Sequence, residues 1–262
     1  MQNVLIAFGS PSDYTALQTH FERLPDTQYH LSVASAHRTP ELVSRHAKAA
    51  HYDGIIAGAG MCNALKDAYL RECEGAVLVA LPVHDSRTGG LSSILSSSEM
   101  PPGYPVAMSQ MNNLGAAVNF MNYALGGFRK ARLACDGETD SRKAFDDAAG
   151  MFGELGVEVV DAPADDAIDL AVYASPYFLD DFKHCIATFA SPLRSDLILR
   201  NYLNSLRNRP EAMHTGVADG KNLALYASMI IARGNPEVRE RIMAQRNAGK
   251  AKYAPFEELR QI

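Results

Sequence analysis

Cysteine is scarce and scattered: Cys62, Cys73, Cys135 and Cys185 are the only four in 262 residues, and none has the spacing of a metal ligand set. This excludes a cysteine-built metal knuckle or disulfide framework and predicts free thiols in a reduced, cytosolic setting. No apolar tract is long enough to cross a bilayer. The opening residues lack the charged flank and cleavage site of a secretory signal, and residues 4–8 read as a strand. Positive charge is not in excess. Lys and Arg number 25 against 30 Asp and Glu, and the formal charge of -5 gives no general pull towards nucleic acid.

What is present is an alternation. β-rich runs at 4–8, 31–34, 54–57, 76–80 and 105–109 are separated by helical patterns at 14–23, 41–50, 63–72 and 91–97, and a helix at 114–125 follows. This rhythm predicts a parallel sheet with helices on both faces. Ser12 or Asp13 is placed to cap the first helix, and Pro40 fits the first turn of the second. Gly126-Gly127 breaks the pattern and it restarts. Strands are predicted at 132–135, 158–161, 168–173, 185–189 and 212–217, helices at 142–155 and 221–232, and a last helix from near Pro236. The restart predicts an internal repeat, with domains 1–127 and 128–262. Thr139-Asp140 echoes Ser12-Asp13, residues 203–207 fall where 91–97 fall, and 222–230 echo 113–121.

Two short stretches hold the chemistry: Gly9-Ser10-Pro11-Ser12-Asp13 and Ser35-Ala36-His37-Arg38-Thr39-Pro40. Each follows an apolar run, where a strand should end and a helix begin, and ligands of open parallel sheets bind at that edge. Ser10, Ser12 and Arg38 are phosphate candidates, with Ser35 beside them, since hydroxyls, helix-start N–H groups and a guanidinium fork all receive anions. Asp13 suits ribose hydroxyls or acts as a plain cap. Gly58, Ala59 and Gly60 allow backbone to approach a base, or form an ordinary strand-to-helix turn. Asn63 can fix a carboxylate or an amine, or cap the helix that follows. His37 is the general acid/base candidate. Cys62 reads as a small, semi-buried thiol. His20, His46, His51, His84, His184 and His214 lack ligand spacing and read as surface or structural, His84 being the one nearest the chemistry. Residues 96–98 read as a solvated helix end and 239–252 as an exposed basic helix.

In these two stretches, in Ile56-Ala57-Gly58-Ala59-Gly60, and in residues 89–101 followed by Gly103-Tyr104-Pro105-Val106-Ala107, the chain resembles a known family. It is that of the aminoimidazole ribonucleotide carboxylases and carboxyaminoimidazole ribonucleotide mutases of purine biosynthesis. The expected fold is two flavodoxin-like three-layer α/β/α domains with parallel sheets, related by internal duplication. The resemblance implies a ribonucleotide held by Gly9, Ser10, Ser12, Asp13, Ser35, Ala36, Arg38, Gly58, Ala59, Gly60 and Asn63. It implies that the electron-rich ring attacks carbon dioxide and that His37 removes the C4 proton, with no metal or other cofactor. It also implies a homo-oligomer: family members form octamers of single domains, so four tandem chains would rebuild eight.

Two departures qualify this reading. Ala64 stands where the mutase branch carries a second histidine. The segment from Ala59 to Leu65 is similar to the loop of the branch that uses free carbon dioxide, with Met61 and Cys62 in place of its Arg and Ser, while Arg38-Thr39-Pro40 is the mutase form. The second copy has no Ser-Ala-His-Arg counterpart, and Ala174-Ser175-Pro176-Tyr177 replaces its glycine loop. It reads as a degenerate copy that supplies packing surface, and a residue such as Lys221 or Asn222, to the intact site. The leading expectation is a carbon dioxide-dependent carboxylase. The alternatives are the mutase, a carboxylase of another nucleotide-like heterocycle, and a non-catalytic nucleotide-binding protein.

Overall fold

Strict alternation of apolar residues builds the sheet. In β1 (Asn3–Phe8), Val4, Ile6 and Phe8 enter one core while Leu5 and Ala7 enter the other. β4 (Val77–Pro82) repeats this with Val77, Val79 and Leu81 against Leu78 and Ala80. A strand covered on both faces reads as a continuous apolar run, as these do. The computed structural model describes residues 2–19, 28–101, 103–175, 178–179, 182, 184–190, 196–209, 211–217 and 219–251.

β2 (Gln28–Val33), β3 (Gly54–Ala59) and β5 (Ala107–Met108) complete the first half of the sheet, in the order β2-β1-β3-β4-β5, all parallel. The second half contributes β6 (Lys130–Cys135), β7 (Val159–Val160), β8 (Ala167–Tyr173), β9 (Cys185–Phe189) and β10 (Ala212–Val217), in the order β7-β6-β8-β9-β10. The rank order is the same in both halves. The expectation of two separate parallel sheets is corrected at one place: β5 and β10 pair antiparallel, with His214 opposite Met108, and make one ten-stranded mixed sheet. Pairing two inner edges removes two rows of unpaired backbone groups, which would otherwise lie exposed at the middle of the molecule.

Helices cover both faces. α1 (Pro11–Leu17), α5 (Leu114–Ala124), α6 (Thr139–Leu155), α8 (Gly220–Ile231) and α9 (Pro236–Ala251) pack on one side. α2 (Pro40–Ala47), α3 (Ala64–Glu72), α4 (Leu91–Ser98) and α7 (Asp196–Asn208) pack on the other. Between β7 and β9 no α-helix stands among the described residues, so α2 and α3 have no counterpart in the second half. The halves interlock: the Tyr226 hydroxyl on α8 donates to the Leu78 carbonyl of β4 (2.9 Å), and Arg233 donates to the Asp53 carboxylate (2.9 Å).

Several local expectations are refined. Ser10, not Ser12 or Asp13, caps α1, and residues 20–23 of the expected helix lie outside the described residues. α8 is capped by Asp219, which accepts the Asn222 N–H (2.9 Å), as Asn113 accepts the Ala116 N–H (2.9 Å) at α5, so the helix echo is offset by three residues from the sequence match. Ser97 and Ser98 are buried rather than solvated, because the end of α4 packs against β10. No described helix is long and apolar enough to cross a membrane.

Candidate active site

Backbone hydrogen bonds carry the sheet past the C-terminal ends of four strands. Ala34 N–H donates to Phe8 O (2.9 Å), Gly9 N–H to Gly58 O (2.9 Å) and Val83 N–H to Ala59 O (3.0 Å). From β1 the chain crosses to β2 on one side, and β3 lies on the other. The loops therefore splay apart at this switch point. A cleft of about 710 Å³ opens there.

The loop after β1 brings Gly9, Ser10, Ser12 and Asp13 to the cleft. Pro11 pre-sets the first helical position, and the Ser10 hydroxyl accepts the Asp13 N–H (3.2 Å). The same hydroxyl donates to the Asp13 carboxylate (2.7 Å) and lies 2.8 Å from Ser12 Oγ. Burial pushes the Asp13 pKa up, against the Ser10 hydrogen bond and the Arg38 charge. Gly60 makes room for this carboxylate, since a Cβ there would stand 3.2 Å from Asp13 Oδ1. Ala59 and Gly60 form the opposite wall.

The loop after β2 contributes Ser35, Ala36, His37 and Arg38. Its base is tied twice: Thr39 N–H donates to Ser35 O (2.9 Å), and Ser35 N–H donates to Thr39 Oγ1 (2.9 Å). The Ser35 hydroxyl accepts the Arg38 N–H (3.2 Å). Pro40 keeps Thr39 out of the helix, so the turn ends there and α2 begins. His37 and Arg38 are left exposed at the tip, lining the cleft.

Two expected site residues do not line it. Gly58 lies within β3, its carbonyl used by Gly9, and a Cβ on it would stand 3.0 Å from the Phe8 ring. Asn63 is fully buried; its amide donates to Ala57 O (3.0 Å) and Ser97 Oγ (3.3 Å), and its N–H to Ser96 Oγ (3.0 Å). It braces the start of α3 against α4. Asn222, expected near the site, instead holds Pro101 and Gly103, accepting Gly103 N–H (2.9 Å) and donating to Pro101 O (3.1 Å).

The cleft also takes in residues with weaker sequence signals. Cys62 is exposed rather than semi-buried and lines the cleft with Met61 and Leu65. His84, Asp85 and Ser86 close the far side. The Asp85 carboxylate accepts the Thr88 hydroxyl (2.6 Å) and the N–H groups of Thr88 (2.8 Å), Arg87 (2.9 Å) and Gly90 (3.1 Å). These bonds, the hydroxyl's foremost, hold the carboxyl down to about 2. The spacing Asp85-x-x-Thr88 is the signal that could have marked this ordered turn. Among the other histidines, His214 is fully buried beside the Tyr173 hydroxyl (3.2 Å), and His20 lies outside the described residues.

At the equivalent place in the second half, a carboxylate bridges two strand ends among the described residues. Asp136 follows β6 as Gly9 follows β1, and its N–H likewise donates across to the neighbouring strand, at Val172 O (3.3 Å). Its carboxylate then spans the switch point and accepts the N–H groups of Ala174 (2.7 Å) and Ser175 (2.9 Å). Burial pushes its pKa up, but the hydrogen bonds it receives outweigh this and hold the carboxyl below its usual range. Pro176 and Tyr177 lie outside the described residues.

Comparison with known proteins bears on the first half. The AIR carboxylase family model matches residues 3–130. An N5-carboxyaminoimidazole ribonucleotide mutase of Pyrococcus abyssi is 38% identical over 112 residues, covering 41% of this chain and 64% of that protein. The mutase of Thermotoga maritima is 36% identical over 118 residues, covering 43% of this chain and 68% of the relative. The crystal structure of Treponema denticola PurE aligns over 48% of this chain and 82% of its own, at 24% identity and a TM-score of 0.39. The chain thus spans less than two thirds of the Pyrococcus protein's own length. The matched residues include the β1, β2, β3 and β4 loops that wall the cleft, and through them the chain belongs to the AIR carboxylase family.

Proposed function

We propose that this cleft moves a carboxyl group onto C4 of an aminoimidazole ribonucleotide in purine biosynthesis, taking it from the N5-carboxy isomer. The observation that carries this is the meeting, in one cleft, of His37 and Arg38 with Ser10, Ser12 and Asp13. The choice of carboxyl source rests on the relatives, most of which are N5-carboxyaminoimidazole ribonucleotide mutases.

In this reading the Ser10 and Ser12 hydroxyls and the Arg38 guanidinium take the phosphate. Asp13 accepts from the ribose hydroxyls, and the backbone at Ala59 and Gly60 lies along the base. The carbamate C–N bond of the substrate breaks and a C–C bond forms at C4. His37 takes the C4 proton, which restores the aromatic ring, and a proton returns to the amine nitrogen. The step is an isomerisation and balances without any further reactant. Supplying each ribonucleotide with and without bicarbonate tests it. Turnover of the N5-carboxy compound independent of bicarbonate is expected. Turnover of the uncarboxylated ribonucleotide alone, and only with bicarbonate, overturns it in favour of the carboxylase, which Ala64 in the second-histidine position favours. Binding without turnover of either marks a nucleotide-binding protein.

We infer further that residues 128–262 are a duplicated copy, kept for packing rather than chemistry. The shared strand order and the matching caps Asn113 and Asp219 support this. Four such chains would form an eight-domain assembly, and light scattering of the active protein at tetramer mass is the expected result.

A further inference from the structure

A second concavity, of about 610 Å³, lies away from the catalytic cleft, between α3, the end of α4 and α9. Two cations in its wall have too few partners. Lys66 on α3 is buried, with its side chain 3% exposed, and its ammonium meets only the neighbouring Asp67 carboxylate (2.7 Å) among the described residues. An ammonium carries three donors, so two remain free. Arg246 on α9 is worse served. Among the described residues its buried Nε has no acceptor, and its Nη2 meets the Met229 sulfur (3.3 Å). A thioether is a weak acceptor, and an unsatisfied buried charged donor is costly. Burial pushes the Arg246 pKa down, against the charge of Glu74. Leu70, Met100, Pro101 and Tyr104, the last 47% exposed, give the wall an apolar part. Arg71 and three carboxylates also line it, Asp67, Glu74 and Glu99, with Glu74 held by Lys250 (3.1 Å), so the cations of the wall outnumber its carboxylates by four to three.

We propose that this cavity is a second ligand site, for a small anion with a flat apolar body, of mononucleotide size or less. The anionic group lies between Lys66 and Arg246, and the body rests on Met100, Pro101 and Tyr104. The volume falls within the usual range for small-molecule sites. The site is separate from the carboxyl-transfer reading. Leu65 lines the catalytic cleft while Lys66 lines this cavity, so the first turn of α3 is a wall of both.

The test is a fluorescence titration of the full chain with 8-anilinonaphthalene-1-sulfonate, an aromatic anion, and with N-phenyl-1-naphthylamine, its uncharged counterpart. Saturable binding of the sulfonate at one site is expected, with the uncharged dye at least tenfold weaker. Arg246→Leu should weaken sulfonate binding tenfold or more, while Arg38→Leu, in the catalytic cleft, should leave it unchanged. Tyr104→Ala removes an exposed ring and tests the apolar wall should the Arg246 variant fold poorly; a loss of threefold or more is expected. Equal binding of both dyes, loss of binding in Arg38→Leu, or no change in both Arg246→Leu and Tyr104→Ala overturns the assignment. None of these readouts depends on turnover.

Discussion

His37 and Arg38 stand at the tip of a turn whose base is tied by Ser35 and Thr39, so the two side chains are presented together while the backbone stays fixed. If His37 carries the C4 proton, His37→Asn keeps the turn and loses the shuttle. General acid/base groups contribute about 10²–10⁴ in rate, so kcat should fall by about a thousandfold with KM within a few fold; steady-state kinetics on both ribonucleotides would check this. The other titration of consequence is at His214, whose imidazole is held neutral because burial pushes its pKa down to about 3. Its unfolded pKa is the higher one, near 6.5, so the unfolded chain binds the extra proton. The stability this group confers is therefore complete above pH 6.5 and is lost as pH falls towards 3, by up to about 1.4 kcal/mol per pH unit. Urea melts between pH 7 and pH 4 should show that slope, and His214→Leu should flatten it. At this scale the sequence was informative where the cleft residues are contiguous, as in 9–13 and 35–38. It was less informative at Gly58 and Asn63, which stand outside the cleft lining: Gly58 lies one step inside a strand end, and Asn63 takes the helix-start position that was its other reading.

At the scale of elements, the legible parts were those fixed by local pattern. Runs such as Val4 to Phe8 and Val77 to Leu81 announce buried strands, and Pro40 announces the start of α2. β5 was less legible: five residues were expected and two pair, because its partner β10 lies far along the chain and sets how much of it forms ladder. Helix crossings are likewise invisible to periodicity. Gly220, at the first position of α8, lies against the backbone of α6, and a Cβ there would overlap the Ala144 carbonyl. Backbone cannot yield as the end of a flexible side chain can. Gly220→Ala should therefore part α6 from α8 and destabilise the protein by about 1–3 kcal/mol, the usual cost of overpacking. Chemical denaturation would measure it, and an unchanged midpoint would mean that α8 slides freely along its neighbour. Gly150 is the control, because a Cβ there meets nothing within 4 Å and should be tolerated.

Seen as a whole molecule, the sheet has one core on each face, and neither core respects the boundary at residue 127. The cluster containing Val77, Val79 and Phe120 is the same one that contains Leu223, Tyr226 and Ile230. Leu78 O is satisfied by Tyr226 from the second half, and the Asp53 carboxylate by Arg233. Residues 1–127 expressed alone would therefore expose the β5 edge, an apolar face of the sheet and two polar groups that have each lost one partner. An unpaired edge beside an uncovered apolar face is a template for association. The fragment should aggregate or remain partly unfolded, with no turnover on either ribonucleotide, although every cleft-lining residue is present in it. Mixed with residues 128–262 during refolding, it should recover turnover in proportion to the complex formed, by size-exclusion chromatography and assay of the same fractions. Asp136 bridges the ends of β6 and β8 in a structural role, so Asp136→Ala in that fragment should lower the complex's stability and leave turnover per complex unchanged. A first fragment that is monomeric, folded and fully active would reduce the second half to an appendage. Recovery on mixing would identify it as the missing wall of a single sheet.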